Sequence, residues 1–177
     1  DDFHKWTDGR LWLYDQQGQV DPPRLYAVLR YCHDRLGIQH VVVDSLMKVV
    51  RGEDDYNGQK NLLDTLTSIA RDTGMHVHLV HHSKKREDEG KAPGKFDLKG
   101  SGSISDQADN VMIVWRNKRK QFDAQSGEPG DSDAPDAMLV CEKQRNGEWE
   151  GRIALWFDTA SQQYLGASGA RTQEYVR

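Results

Sequence analysis

The run Ile38-Gln39-His40-Val41-Val42-Val43-Asp44-Ser45 has a β-branched apolar centre and ends abruptly in a carboxylate. A short segment of that kind reads as a buried strand of a parallel sheet. The carboxyl ends of parallel strands line one crevice, and an acid delivered there lies where a nucleotide-bound Mg²⁺ is held. Asp44 is therefore a candidate Mg²⁺-organising acid, with Ser45 as its polar neighbour. The plainer role for Asp44 is a strand-end Asp that caps the next turn. A glycine-rich phosphate loop, G-x-x-x-x-G-K-[ST], occurs nowhere in the 177 residues. Half of a nucleotide site is written here and half is not.

The flanking sequence alternates between helical and strand periods. Asp21-Pro22-Pro23 predicts a helix start, and Leu25, Val28, Leu29, Cys32 and Leu36 recur at helical spacing before Gly37. A second helix is expected from Asn57 to Thr73, with Leu62, Leu63, Leu66, Ile69 and Ala70 inward and Gly74 as its stop. Strands are expected at Leu11–Tyr14, Val77–Val80 and Val111–Trp115, with a short helix near Ile104–Ala108. Ala137–Lys143 and Arg152–Phe157 read as a hairpin turned at Asn146-Gly147, and Gln163–Leu165 as a last short strand. The expected class is α/β: a mostly parallel sheet flanked by helices, finishing in an antiparallel hairpin. One domain over residues 1–165 is expected, with a charged, Gly/Pro/Asp/Ser-rich flexible insertion at 117–136 and a frayed tail at 166–177.

Charge and composition narrow the function. Charged residues are 29% of the chain and no window approaches a membrane-spanning apolar run. Cys32 and Cys141 lie in apolar contexts and read as buried free thiols of a reducing cytoplasm. The chain opens on Asp1-Asp2 with no initiator Met or signal peptide, as expected of a piece of a longer protein. A net charge of −4 disfavours a uniformly basic nucleic-acid binder, although Lys84-Lys85-Arg86 and Lys118-Arg119-Lys120 concentrate positive charge locally.

Three further constellations carry chemistry. His81-His82 ends the Val77–Val80 strand, so His82 is expected to approach the same ligand as Asp44 and to sense a terminal phosphate. A metal site is the rival for His76, His78, His81 and His82, but no Cys or carboxylate stands at zinc-like spacing from them. Lys84 and Lys85, with the segment Lys99-Gly100-Ser101-Gly102-Ser103, combine cations with small residues that let backbone N–H groups approach phosphates. They would grip a nucleic-acid backbone without reading bases, where the plainer alternative is a solvated loop and a flexible connector. Lys143 and Arg145 lie two residues apart at a hairpin tip and so share a side. They are either a solvated tip or an arginine finger that reaches a neighbouring subunit's nucleotide.

The stretches "VVVDS", "LVHHSKK", "KGSGSISDQADNVMIVWRN" and "EKQRNG", in that order over residues 8–165, resemble the RecA-like motor domain of hexameric replicative DNA helicases, the DnaB family and the phage primase-helicases. By that resemblance Asp44 positions Mg²⁺ and water, and His82 matches a γ-phosphate-sensing histidine of the phage members. Lys84 and Lys85 fall in a loop facing the central channel, and Ser101, Gly102 and Ser103 in the stretch that tracks single-stranded DNA. Lys143 and Arg145 match the pair donated in trans to the adjacent subunit's ATP. The family's phosphate loop and its water-polarising glutamate would lie upstream of this chain.

The resemblance implies the C-terminal portion of an ATP- and Mg²⁺-dependent, ring-forming hexameric helicase acting on single-stranded DNA in a bacterial or phage-infected cytoplasm. Without the phosphate loop, this polypeptide alone is expected not to hydrolyse ATP. Alternatives are another RecA-like recombination or plasmid-replication ATPase and a non-catalytic DNA-binding or oligomerisation module. A metallohydrolase is the remaining one.

Overall fold

The computed structural model describes residues 2–52, 54–82, 103–128 and 131–174. Helix α1 spans Asp2–Thr7 and α2 Pro22–Leu36. Strand β1 (His40–Val43) is followed by a 3₁₀ turn at Leu46–Lys48, helix α3 (Tyr56–Thr73) and strand β2 (His76–Leu79). Then come α4 (Ser103–Gln107), β3 (Asn110–Arg116), α5 (Lys118–Ser126), β4 (Ala137–Gln144), β5 (Gly151–Asp158) and β6 (Gln163–Leu165).

The two long helices follow from their ends and their apolar stripes. Pro22 and Pro23 occupy the first turn of α2, where a missing N–H costs nothing, and Asp21 precedes them in an extended conformation without a side-chain capping bond. Gly37 takes φ 65° and returns its N–H to the last turn, which terminates α2. In α3 the Asp55 carboxylate accepts the Gly58 N–H at 2.9 Å, and Gly74 closes the other end at φ 74°. Leu62, Leu63, Leu66 and Ile69 of α3 are buried as the spacing predicts, Ala70 half so.

Leu25 and Leu29 of α2 meet that stripe, and Val43, Leu46, Val49, Val50, Met75 and Ile104 complete the core. The core lies on one face of β1 and β2 only. His40, Val42, His76 and His78 alternate onto the opposite, exposed face, where Val42 is 66% exposed.

The strands divide into a parallel pair, β1-β2, and a four-stranded antiparallel sheet in the order β3-β4-β5-β6. The expected parallel sheet with an antiparallel end is present, and the antiparallel part is larger than a hairpin because β3 and β6 join it. A groove of about 600 Å³ separates β2 from β3, and no strand among the described residues fills it. Among the described residues the parallel element therefore has two strands.

Several local expectations need correction. Leu11–Tyr14 forms no strand and stays exposed, because no described strand lies beside it to satisfy its backbone groups. The Asn146-Gly147 turn is not a two-residue hairpin. Pairing of β4 with β5 ends at Cys141 and Gly151, and residues 145–150 make a longer connection.

The 117–136 stretch, expected to be flexible, contains α5. Asn117 accepts the Lys120 N–H at its start, and Lys120 Nζ donates to the Ala134 carbonyl (2.7 Å) and the Asp136 carboxylate (2.9 Å). Beyond β6, Gln173 makes two hydrogen bonds with Gln163.

Candidate functional site

Two backbone hydrogen bonds bring the ends of β1 and β2 level. Val80 donates to the Val43 carbonyl at 2.9 Å, and Leu46 donates to the Val80 carbonyl at 2.9 Å. The chain therefore leaves both strands at the same height, with Asp44 and Ser45 on one side and His81 and His82 on the other. Asp44 is exposed, Ser45 is buried, and the peptide bond between them is cis. His82 is exposed and His81 half-buried, lining the groove between β2 and β3. An exposed carboxylate at a strand end beside a hydroxyl is the hard oxygen donor set that Mg²⁺ prefers.

Lys143 and Arg145 flank Gln144, which with Asn146 lines the far wall of that groove. Lys143 Nζ donates to the carbonyls of Ser105 (2.9 Å) and Asp106 (2.8 Å). Arg145 donates through Nη1 to Asp109 Oδ1 (2.7 Å) and through Nη2 to the Asp106 carbonyl (3.2 Å). Its backbone N–H also reaches the Asp109 carbonyl at 2.8 Å. Both side chains do share a side, and both close on the carboxyl end of α4, where helical carbonyls lack intrahelical partners.

A β-bulge governs this aim. Val111 pairs with Lys143, but Met112 pairs with Cys141, so Glu142 is the extra residue of β4. A bulge of this kind bends the strand and redirects the side chains beyond it. Neither the bulge nor Asp109 was singled out from sequence. A charged Glu142 beside the buried Cys141 was the available signal for the first, and the acid spacing in Ser-Asp-Gln-Ala-Asp for the second.

The expected DNA-facing residues divide differently. Lys84, Lys85, Lys99, Ser101 and Gly102 lie outside the described residues, whereas Ser103 opens α4. Helix α4 is fastened to α3 by Gln107 Nε2, which donates to Asp64 Oδ1 at 2.7 Å.

His40, His76 and His78 pack together on the exposed face of β1 and β2. His76 and His78 lie with ring centroids 4.3 Å apart, and His40 of the neighbouring strand lies 5.7 and 6.0 Å from them. Partial burial, and then the charges of His76 and His40, push the His78 imidazole below its ordinary value. Among the described residues no His, Cys, Asp or Glu group is arranged to hold a metal ion. No described helix is long and apolar enough to cross a membrane.

Comparison with known proteins adds family and fold. Residues 2–165 match the family described as the DnaB-like helicase C terminal domain. A DNA helicase/primase of Enterobacteria phage T3 is 29% identical over 130 residues, which are 66% of this chain and 23% of that protein. A solved DnaB-like replicative helicase, described together with its interactions with primase, superposes with a TM-score of 0.64 at 20% identity, over 86% of this chain and 36% of that one. A solved ATPase domain gives a TM-score of 0.65 at 20% identity, over 86% of this chain and 53% of that one. The chain thus spans about a quarter of the curated relative and a third to a half of the solved ones, and its fold is that of RecA-like helicase ATPase domains.

Proposed function

The chain belongs to the DnaB-like helicase C-terminal domain family, and from that premise we propose that it forms part of an ATP-dependent, ring-shaped replicative DNA helicase. Its share of the site is the metal-side half together with the groups offered to a neighbour. The observation that supports this reading is the level end of β1 and β2, where Asp44-Ser45 and His81-His82 leave adjacent parallel strands.

In this reading Asp44, supported by Ser45, would hold a nucleotide-bound Mg²⁺, which when bound offsets phosphate charge. His82, at the end of the adjacent strand, contacts the terminal phosphate and passes its presence into the segment that follows. Lys143 and Arg145 act on the nucleotide of the next subunit, where positive charge offsets charge developing on the transferred phosphoryl group. Lys84, Lys85, Lys99 and Ser101 to Ser103 hold the single-strand backbone by charge and small-residue approach, without base recognition. Residues 1–165 act as one partial ATPase domain whose ring is a hexamer. Alone it does not turn over ATP, because its sequence contains no phosphate loop.

The test is Arg145→Ala in the oligomer of the full-length protein. DNA-stimulated ATP hydrolysis is expected to fall by about 10³-fold or more, the range of a trans arginine, while nucleotide binding persists. Turnover at the wild-type rate would remove the finger assignment.

A further inference from the structure

We propose that Asp109 is the positioning residue for Arg145, holding the guanidinium in the orientation from which it reaches a neighbouring subunit's nucleotide. The inference rests on the trans-acting reading of Arg145 given above and adds to it a residue to which the sequence motifs gave no role.

Arg145 lies at the end of a bulged strand, on a connection that pairs with no neighbouring strand, and it is about two-fifths exposed. A long side chain in that place has many rotamers, and a group that stabilises a transition state is effective only when its orientation is already set. Asp109 restricts it twice. Its carboxylate takes Nη1 at 2.7 Å, and its carbonyl takes the Arg145 backbone N–H at 2.8 Å. One residue thus fixes both the base and the head of the side chain.

The contact also leaves capacity for a phosphate. A guanidinium has five N–H donors in a planar fork. Asp109 Oδ1 and the Asp106 carbonyl engage Nη1 and Nη2, and no described bond goes to Nε. Because the head is not buried, a phosphate can approach it while the Asp109 contact stays in place.

The same clamp links the finger to α4. Lys143 and Arg145 together hold the carbonyls of Ser105 and Asp106, and Asp109 follows α4 by two residues. A displacement of α4 therefore moves the cation pair with it.

The experiment uses the full-length protein's oligomer and measures DNA-stimulated ATPase kinetics for Asp109→Ala, Asp109→Asn, Arg145→Lys and Asp109→Ala combined with Arg145→Lys. Asp109→Ala is expected to lower kcat by about ten- to a hundredfold, the cost of a misplaced group, with KM for ATP and single-strand affinity within about twofold. Asp109→Asn keeps an acceptor oxygen and should recover much of that loss, and it replaces Asp109→Ala in the comparison if the latter does not fold. Adding Asp109→Ala to Arg145→Lys should cost less than about twofold beyond Arg145→Lys alone, since residues acting through one contact are not additive.

Wild-type kcat in Asp109→Ala, alongside lost turnover in Arg145→Ala, would overturn the positioning role and leave the finger standing. Losses that multiply in the double variant would also overturn it. Full turnover in Arg145→Ala would instead remove the finger, and this inference with it.

Discussion

Asp136 offers the sharpest test of whether the charged segment beyond β3 is a built part of the fold. Its carboxylate accepts Lys120 Nζ at 2.9 Å through one oxygen and the Phe157 N–H at 2.9 Å through the other, and its own N–H reaches the Leu155 carbonyl. Asp136 therefore fastens α5 to β5. Hydrogen bonds to a charged group contribute about 1.5–3 kcal/mol each, and side chains that are a fifth to a quarter exposed fall at the low end after solvent screening. Asp136→Ala should thus cost about 2–3 kcal/mol, allowing for Lys120 keeping its bond to the Ala134 carbonyl. Asp136→Asn, which retains an acceptor for Phe157, should cost about half as much.

The pH dependence of that difference has a definite sign. Burial raises the Asp136 carboxyl, but the Lys120 hydrogen bond, the Phe157 N–H and the Lys120 charge outweigh it and hold the group below its ordinary value of 3.8. A carboxyl that is more acidic in the folded chain stabilises fully above its unfolded value, and loses that contribution as pH falls through the folded one. Urea unfolding at pH 7 should show a lower midpoint for Asp136→Ala, by roughly 1 M for an m-value of about 2 kcal/mol/M, at unchanged slope. The gap to the wild type should narrow below pH 3.8. Equal midpoints at pH 7, or a gap that widens in acid, would refute the reasoning.

Two further outcomes follow from the parallel half. Leu62→Ala, at a side chain only 1% exposed between α2 and α3, should destabilise the chain by about 2–5 kcal/mol in chemical denaturation. His78 is harder to protonate in the folded chain than in the unfolded one, so stability should fall as pH drops below 6.5 and the full penalty applies below its lowered value. His78→Gln should flatten that slope in thermal melts between pH 7.5 and 5.5, and an unchanged slope would place its origin elsewhere.

Much of the scaffold was legible because local chemistry and global packing agree. In α3, Leu62, Leu63, Leu66 and Ile69 repeat at helical spacing, and Gly74 stops the helix where a left-handed residue is required. β1 was legible in its β-branched centre, and the two strands run parallel, so that Asp44 and His81-His82 both follow carboxyl ends. Leu11–Tyr14 failed for the opposite reason. Strand composition expresses a preference for pairing, and composition cannot supply the partner. Helix α5 was not anticipated within 117–136, because its anchoring depends on contacts distant in sequence, such as Lys120 with Asp136 and Asp136 with Phe157. The acid beside Arg145 was invisible on similar grounds. Asp109 and Arg145 are separated by 36 positions, and only the pairing of β3 with β4 brings them together.

The bulge at Glu142 frees the aim of the cation pair from the packing of its own strand. In a regular strand Lys143 would share the face of the buried Cys141 by alternation. One inserted residue breaks that dependence. The inner part of β4 can then vary to suit the sheet, while Lys143 and Arg145 are aimed at the end of α4 and Asp109. A deletion at position 142 would keep Lys143 opposite Val111 in an unbroken ladder, and would remove the bend that carries both cations toward α4. The site depends on the number of residues in β4 as much as on their identity.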